Sequence, residues 1–357
     1  MSAVLYQDDS RTVVLLDLPR TLEEAQFSSA ELATIGAALP RRIIAGPPPD
    51  APFPTPEPRQ GALSQTAATP SAQVSELMTA ASVDDALTKI RREHRGPWCL
   101  PRVPAAVNPS TTPAAAAAAA GAKRKPPPSR GQGAPCSSPG PPPYIPRDAR
   151  YLHGTIQSER ARFLATAPVF DLVVLDPPWP NRSARRKKGG YSTASTLDEV
   201  RELLSLVPLP SRLSPDGLVA VWVTNAPGSA SLLTSPGGGL LAEWGLELVD
   251  EWTWLKVTTQ GVPIVPVDSA WRKPWERLLV ARRRGSSRQV LGARKVIVAV
   301  PDVHSRKPNL RALFEETLGA GYRGLEIFAR SLTAGWWSWG DEVLLFQQPD
   351  QWIVDGK

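Results

Sequence analysis

Asp176-Pro177-Pro178-Trp179 follows directly on the apolar run Phe170-Asp-Leu-Val-Val-Leu. A carboxylate at the end of a buried strand stands at the mouth of a cleft. Proline cannot donate a ladder hydrogen bond, so two in a row stop the sheet and fix the backbone. The Asp176 and Pro177 carbonyls are then left as outward acceptors, with the Trp179 ring beside them as a flat apolar face. Acceptors beside an aromatic plate suit a planar ligand with an amino group, such as adenine or cytosine. On spacing alone, the same four residues could equally be a rigid turn with a packed tryptophan.

Charge gathers close to this run. Arg182, Arg185, Arg186, Lys187 and Lys188 fall within twelve residues of Asp176, and Arg272 to Lys295 holds nine basic residues against one acid, Glu276. Loops of this kind beside a cleft suit backbone phosphates; the competing reading is a solvated surface. The net charge of +7 points the same way without proving a polyanionic partner. Lys256 follows a strand and could reach a substrate or simply sit in water. Three histidines and two cysteines, Cys99 and Cys136, leave no metal-ligand cluster and no disulfide framework, so no metal is expected and a reducing compartment fits.

Further blocks fall in a fixed order after Asp176-Pro-Pro-Trp: Glu251-Trp-Thr-Trp-Leu-Lys256, Lys273-Pro274-Trp275-Glu276, His304-Ser-Arg-Lys307-Pro308, Glu326-Ile-Phe-Ala-Arg330 and Gly335-Trp-Trp-Ser-Trp-Gly340. Together they resemble the DPPW-motif adenine-N6 methyltransferases, the family that writes N6-methyladenosine in messenger and small nuclear RNA. They look most like its methyltransferase-like protein 4 branch, over roughly residues 151–353.

The resemblance implies a class I, Rossmann-like fold with permuted motif order and S-adenosylmethionine as donor. It also explains why no Gly-x-Gly-x-x-Gly follows an early strand. By that resemblance Asp176, Pro177, Pro178 and Trp179 are catalytic. Lys307 would hold the donor carboxylate, and Glu326, Arg330, Asp341 and Glu342 would approach its ribose, with Asp176 near its amino group. Trp179 and Tyr191 would sandwich the target base, and Lys256, Arg185, Arg186, Lys187 and Lys188 would meet the nucleic acid. The family commonly has asparagine where Asp341 stands, which puts the detailed ribose contacts in doubt. Glu326 could also be a plain strand-end charge.

The expected activity is methyl transfer to the N6 amine of adenosine in RNA. Small nuclear RNA is favoured, including adenosine already methylated on its ribose. The alternatives are a DNA adenine methyltransferase and a catalytically silent RNA-binding scaffold of the same fold. Retention of both Asp176 and Trp179 favours activity. Whether the chain acts as a monomer or a heterodimer stays open.

These residues need strands to present them. Phe170–Asp176, Gly217–Asn225, Leu246–Val257, Arg277–Arg282, Lys295–Val300, Gly324–Arg330 and Glu342–Gln347 read as strands. Helices are expected from Thr196 to about Val207, at Leu240–Trp244 and at Asn309–Leu318. Continuous apolar strands between helices imply an α/β domain with a largely parallel sheet covered on both faces.

The front half differs in texture. Of 39 prolines, 24 precede residue 151; of 12 tryptophans, only Trp98 does. Residues 1–46 are expected to form an element that packs on the catalytic domain, with a strand near 11–17 and a helix capped by Thr21. Residues 47–146 read as a largely disordered Pro/Ala-rich linker with a helix at 75–95, and 147–357 as the methyltransferase domain. No stretch approaches the roughly 20 apolar residues that span a bilayer. Three acids near the start argue against a secretory signal. Lys123-Arg124-Lys125 could be a nuclear-import signal or a solvated charge run.

Overall fold

The computed structural model describes residues 2–36, 38–55, 70–105, 141–180, 196–226, 228–269, 272–290 and 292–354. In chain order the strands are β1 (Val4–Gln7), β2 (Val13–Leu16), β3 (Arg41–Ile43), β4 (Arg150–His153), β5 (Phe170–Leu175), β6 (Leu213–Val223), β7 (Leu246–Lys256), β8 (Trp275–Arg283), β9 (Val296–Ala299), β10 (Gly324–Ile327), β11 (Trp337–Gly340) and β12 (Trp352–Val354). Ten make one sheet in the order β1-β2-β9-β7-β8-β6-β5-β10-β11-β4, and β3 and β12 form a separate antiparallel pair. The sheet is antiparallel only at β1/β2, β7/β8 and β8/β6. Eight strands therefore run one way, and β1 and β8 run the other. The carboxyl ends of the eight share one edge with the first residues of β8.

Period-2 alternation fills both faces. On β5, Val173 and Leu175 join one core cluster, which also takes Phe163, Val200, Leu204 and Leu233 from helices. Leu172 and Val174 point the other way, into a cluster with Leu18, Leu22, Leu313 and Phe314. This two-sided burial is the reason Leu172–Leu175 of β5 and Leu218–Val223 of β6 are apolar throughout. Phe163 stacks on Trp339 at 4.7 Å and so seats the helix Ile156–Thr166 against β11.

The front of the chain builds part of this sheet. β2 pairs in parallel with β9, so residues 13–16 extend the main ladder. The helix Pro70–Glu93 covers the β2–β9–β7 end through Val83, Ala86, Leu87 and Ile90, all buried. Full burial of a Leu or Ile side chain stabilises by about 1.5–3 kcal/mol, enough for this face to hold the helix in place. Part of the proline-rich stretch read as linker is also docked. Pro49 accepts from Thr259 N at 2.8 Å, and Phe53 N donates to Ile264 O at 2.7 Å. Extended proline-rich backbone still offers carbonyls and occasional N–H groups, so a neighbouring loop can order it.

Three local expectations change. Thr21 lies inside the helix Leu18–Glu24, whose N-cap is Asp17, accepting from Arg20 N at 2.9 Å. Pro19 marks that start, since its missing N–H costs nothing in a first helical turn. Glu342–Gln347 is a turn followed by a short 3-10 helix, Leu345–Gln347, and β11 takes the ladder place instead. β4 and the helix Ile156–Thr166 have no counterpart among the elements expected from sequence.

Candidate active site

The residues after the parallel strands converge. β5 ends at Leu175, and Asp176 N still donates to Ile327 O of β10 at 3.3 Å. That last ladder bond fixes where the Asp176 carboxylate leaves the sheet. Lys307, on the loop before the helix Arg311–Leu318, brings its ammonium to Asp176 Oδ1 at 3.0 Å and Oδ2 at 3.1 Å. The same ammonium lies 3.2 Å from Glu276 Oε2, at the start of β8, and 5.5 Å above the Trp222 ring. Lys256, at the end of β7, pairs with the other oxygen of Glu276 and lies 4.5 Å over Trp254. An ordered row of alternating charges results: Asp176, Lys307, Glu276, Lys256.

Electrostatics follow from that row. Burial alone would raise Glu276, but the ammoniums of Lys307 and Lys256 outweigh it and bring the carboxyl down to about 2. Burial pulls Lys307 down, yet Asp176 and Glu276 together hold it above the usual lysine range. Glu326, on β10 beside Val174, has no ion-pair partner among the described residues. Desolvation, helped by the Asp176 charge, pushes it up to about 7, although Lys307 and Arg330 pull the other way.

Asp176, Lys307, Glu326 and Arg330 line one cleft. Trp222, Asn309 and Phe328 also line it and were not singled out from sequence. Phe328 has φ +63° and Ser305 φ +68°, two non-glycine residues in the left-handed region at one cleft. Such backbone persists where the surroundings over-determine it. Below Phe328 the chain passes so close to β11 that a Cβ on Gly340 would sit 2.8 Å from Ala329 O.

Other expected residues fall elsewhere. Arg330 Nε pairs with Glu342 at 3.1 Å, so Glu342 reaches the cleft through Arg330. Burial raises Glu342, and the Arg330 charge offsets part of that. Asp341 is exposed, and its carbonyl accepts from His153 Nε2 at 3.0 Å. Trp179 is only 7% exposed and donates Nε1–H to Trp222 O at 2.7 Å. Buried in the core, it anchors the turn. The Pro177 carbonyl accepts Trp179 N at 2.8 Å, leaving one lone pair. Tyr191, Arg182, Arg185, Arg186, Lys187 and Lys188 lie outside the described residues.

The nine basic residues from Arg272 to Lys295 do not form one patch. β8 runs against its neighbours, and its nine residues at about 3.3 Å each carry the chain from the mouth to the opposite edge. Lys273 stays at the mouth, paired with Glu76. Arg283 is at the far edge, donating to the carbonyls of Pro210, Leu213 and Ser214. Arg288 joins it there through Asp216 O at 2.6 Å. Lys295 is wholly buried under Trp252 and paired with Glu316 at 2.9 Å.

The cleft residues fit S-adenosylmethionine. The Asp176 and Glu326 carboxyls in the cleft lining suit the cationic groups of the donor. Glu326 and Arg330 could meet ribose hydroxyls, Lys307 a carboxylate, and Phe328 the apolar face of a base.

The MT-A70 family model matches residues 170–342. The chain is 51% identical over 353 residues to the N6-methyladenosine RNA methyltransferase MTA1 of Cryphonectria parasitica, covering 98% of this chain and 94% of that protein. It is 48% identical over 377 residues to MTA1 of Pyricularia oryzae, covering 99% and 97%. Against the human N(6)-adenine-specific methyltransferase METTL4 it is 36% identical over 196 residues, covering 52% and 40%. With its motif blocks gathered around one cleft and near-full-length relatives of this identity, the chain belongs to the MT-A70 family of S-adenosylmethionine-dependent adenine-N6 methyltransferases.

Proposed function

We propose that this chain methylates the N6 amine of adenosine in RNA. The observation that carries the reading is Asp176, fixed at the end of β5 by the two-oxygen contact with Lys307 and set beside Glu326 in one cleft. Asp176, Pro177, Pro178 and Trp179 form the catalytic turn. Lys307, Glu326, Arg330, Asp341 and Glu342 are the donor-side residues. Tyr191, Lys256 and the basic run Arg185 to Lys188 are the substrate side.

The exocyclic amine of adenine is a poor nucleophile because its lone pair is delocalised into the ring. Bound S-adenosylmethionine supplies a methyl group activated by its sulfonium. The Asp176 carboxylate accepts a hydrogen bond from one amine N–H, and the remaining lone pair of the Pro177 carbonyl accepts one from the other; the proton leaves the nitrogen after methyl transfer. Both contacts strengthen as charge develops on nitrogen. Trp179 holds the turn so that these acceptors stay within about 3 Å of the amine. The adenine must be unstacked to reach them, so a single-stranded or flipped base is required.

RNA is the proposed substrate on the likeness to both MTA1 proteins. Within RNA we propose small nuclear RNA, with adenosine carrying a 2′-O-methyl group, and nuclear action through Lys123-Arg124-Lys125. The test is a labelled-methyl assay in which small nuclear RNA, messenger RNA and DNA oligonucleotides compete. Preferential labelling of small nuclear RNA supports the full reading. Labelling of DNA alone, or of no nucleic acid, overturns it.

A further inference from the structure

Lys307 ends in a flexible four-carbon stem, yet its ammonium lies within 3.0–3.2 Å of three carboxylate oxygens. Such placement requires a fixed base, and no helix or strand supplies one, because residues 300–310 form a loop. The support comes from the front of the chain. Asp302 has a fully buried side chain, and Arg306, 1% exposed, pairs with its Oδ2. Arg102, 5% exposed, approaches Asp302 Oδ1 at 3.7 Å from more than 190 residues away. Gly46 N donates to Asp302 Oδ1 at 2.7 Å.

The two guanidiniums are then tied to backbone. Arg102 donates to Gly46 O and Val300 O, both at 3.0 Å, and Arg306 to Ile44 O at 3.0 Å. The Arg306 guanidinium carbon also lies 4.4 Å over the centre of the Phe346 ring, and both residues line the cleft. The residue immediately before Lys307 is thus locked from three sides, and Pro308 restricts it from the other.

We propose that Asp302, with Arg102 and Arg306, is a positioning residue that sets Lys307 against Asp176, so that residues 44–46 and 102 of the front segment complete the active site. This rests on the methyltransferase reading above. A staple that merely closed the fold could sit anywhere on the sheet edge. This one sits on the residue adjoining the catalytic-site lysine and on the cleft wall. Misplacement of a reacting constellation by about 1 Å costs on the order of a hundred-fold in rate.

The experiment uses the full chain with Arg102→Met and Arg102→Lys, reading melting temperature, kcat per folded molecule, donor KM, and S-adenosylhomocysteine affinity by calorimetry. Arg102→Met is expected to lower kcat about ten- to a hundred-fold in folded protein and to weaken S-adenosylhomocysteine several-fold. Arg102→Lys is expected to recover most of both. Should Arg102→Met melt below assay temperature, Asp302→Asn carries the same comparison, because its amide oxygen can keep the Gly46 contact while the charge is lost and an NH2 donor replaces the acceptor of Arg306. Wild-type kcat and affinity in the folded variant would overturn the proposal. Losses that track the unfolded fraction, with Arg102→Lys no better than Arg102→Met, would overturn it as well. A wild-type chain that binds S-adenosylhomocysteine but labels no nucleic acid defeats the methyltransferase reading instead, and the calorimetric comparison still decides the positioning role.

Discussion

The two ends of β8 gather cations that behave differently. At its mouth end, Lys256 and Lys307 meet carboxylates: Glu276 between them, and Asp176 beyond. At its far end, Arg283 and Arg288 meet main-chain carbonyls of Pro210, Leu213, Ser214 and Asp216. Carbonyl partners make a cation a staple, since a carbonyl does not titrate. Carboxylate partners make it part of a charge balance that a ligand can enter and change. What a cation in this fold can do is therefore set by its partner.

The largest effect expected is at the mouth. Asp176→Ala removes the acceptor of one amine N–H and should lower labelled-methyl transfer by about a thousand-fold or more, while calorimetry still detects S-adenosylhomocysteine. Turnover within ten-fold of wild type would break the functional half of the comparison.

Next comes pH. Glu326 titrates at about 7 in the fold against 4.5 for the free side chain. The folded state thus holds its proton more tightly than the unfolded state, so this residue subtracts stability as pH rises from about 4.5 to 7 and nothing further above that. A cationic donor prefers the ionised form, so S-adenosylmethionine affinity should rise with pH, approaching ten-fold per unit below 7, and level off above it. Glu326→Gln should flatten the profile between pH 6 and 8.

Salt separates the two regions more finely. Replacing Arg185, Arg186, Lys187 and Lys188 by alanine should lower the log–log salt slope of RNA binding by about 0.7 for each phosphate that is no longer neutralised. Arg288→Ala should leave that slope unchanged; a fall in slope there would merge the two regions again. The smallest expected effect is structural. Arg283→Met removes a donor from three carbonyls and should cost about 1–3 kcal/mol in denaturant unfolding, with kcat per folded molecule intact.

How much of this is legible in the residues varies by element. β5, β6 and β9 are visible because a strand covered on both faces carries a continuous apolar run, and β7 because its apolar residues alternate. Asp176 is visible because a carboxylate and two prolines end such a strand. Thr21 looks like the cap that Asp17 provides, because the short polar residue nearest an acidic pair imitates a capping box. β11 is hidden because three tryptophans in Gly335–Gly340 read as a motif before they read as a strand. Glu276 shows in sequence as the lone acid in a basic run and the end of a motif block, and nothing local marks it as a bridge between two lysines.

The amino-acid sequence by itself determined the α/β class, the strand that ends in Asp176-Pro-Pro-Trp and the order of the motif blocks. All of these depend on periodicity and on neighbours within a few residues. Only the tertiary structure decided that β8 runs backward and spreads a basic cluster from Lys273 at the mouth to Arg283 and Arg288 at the far edge. It alone paired Lys307 with Asp176 across 131 residues of chain, and brought Gly46 and Arg102 to Asp302. Such contacts are fixed by strand direction and loop closure between distant segments, and the residues near each partner carry no local pattern that records them.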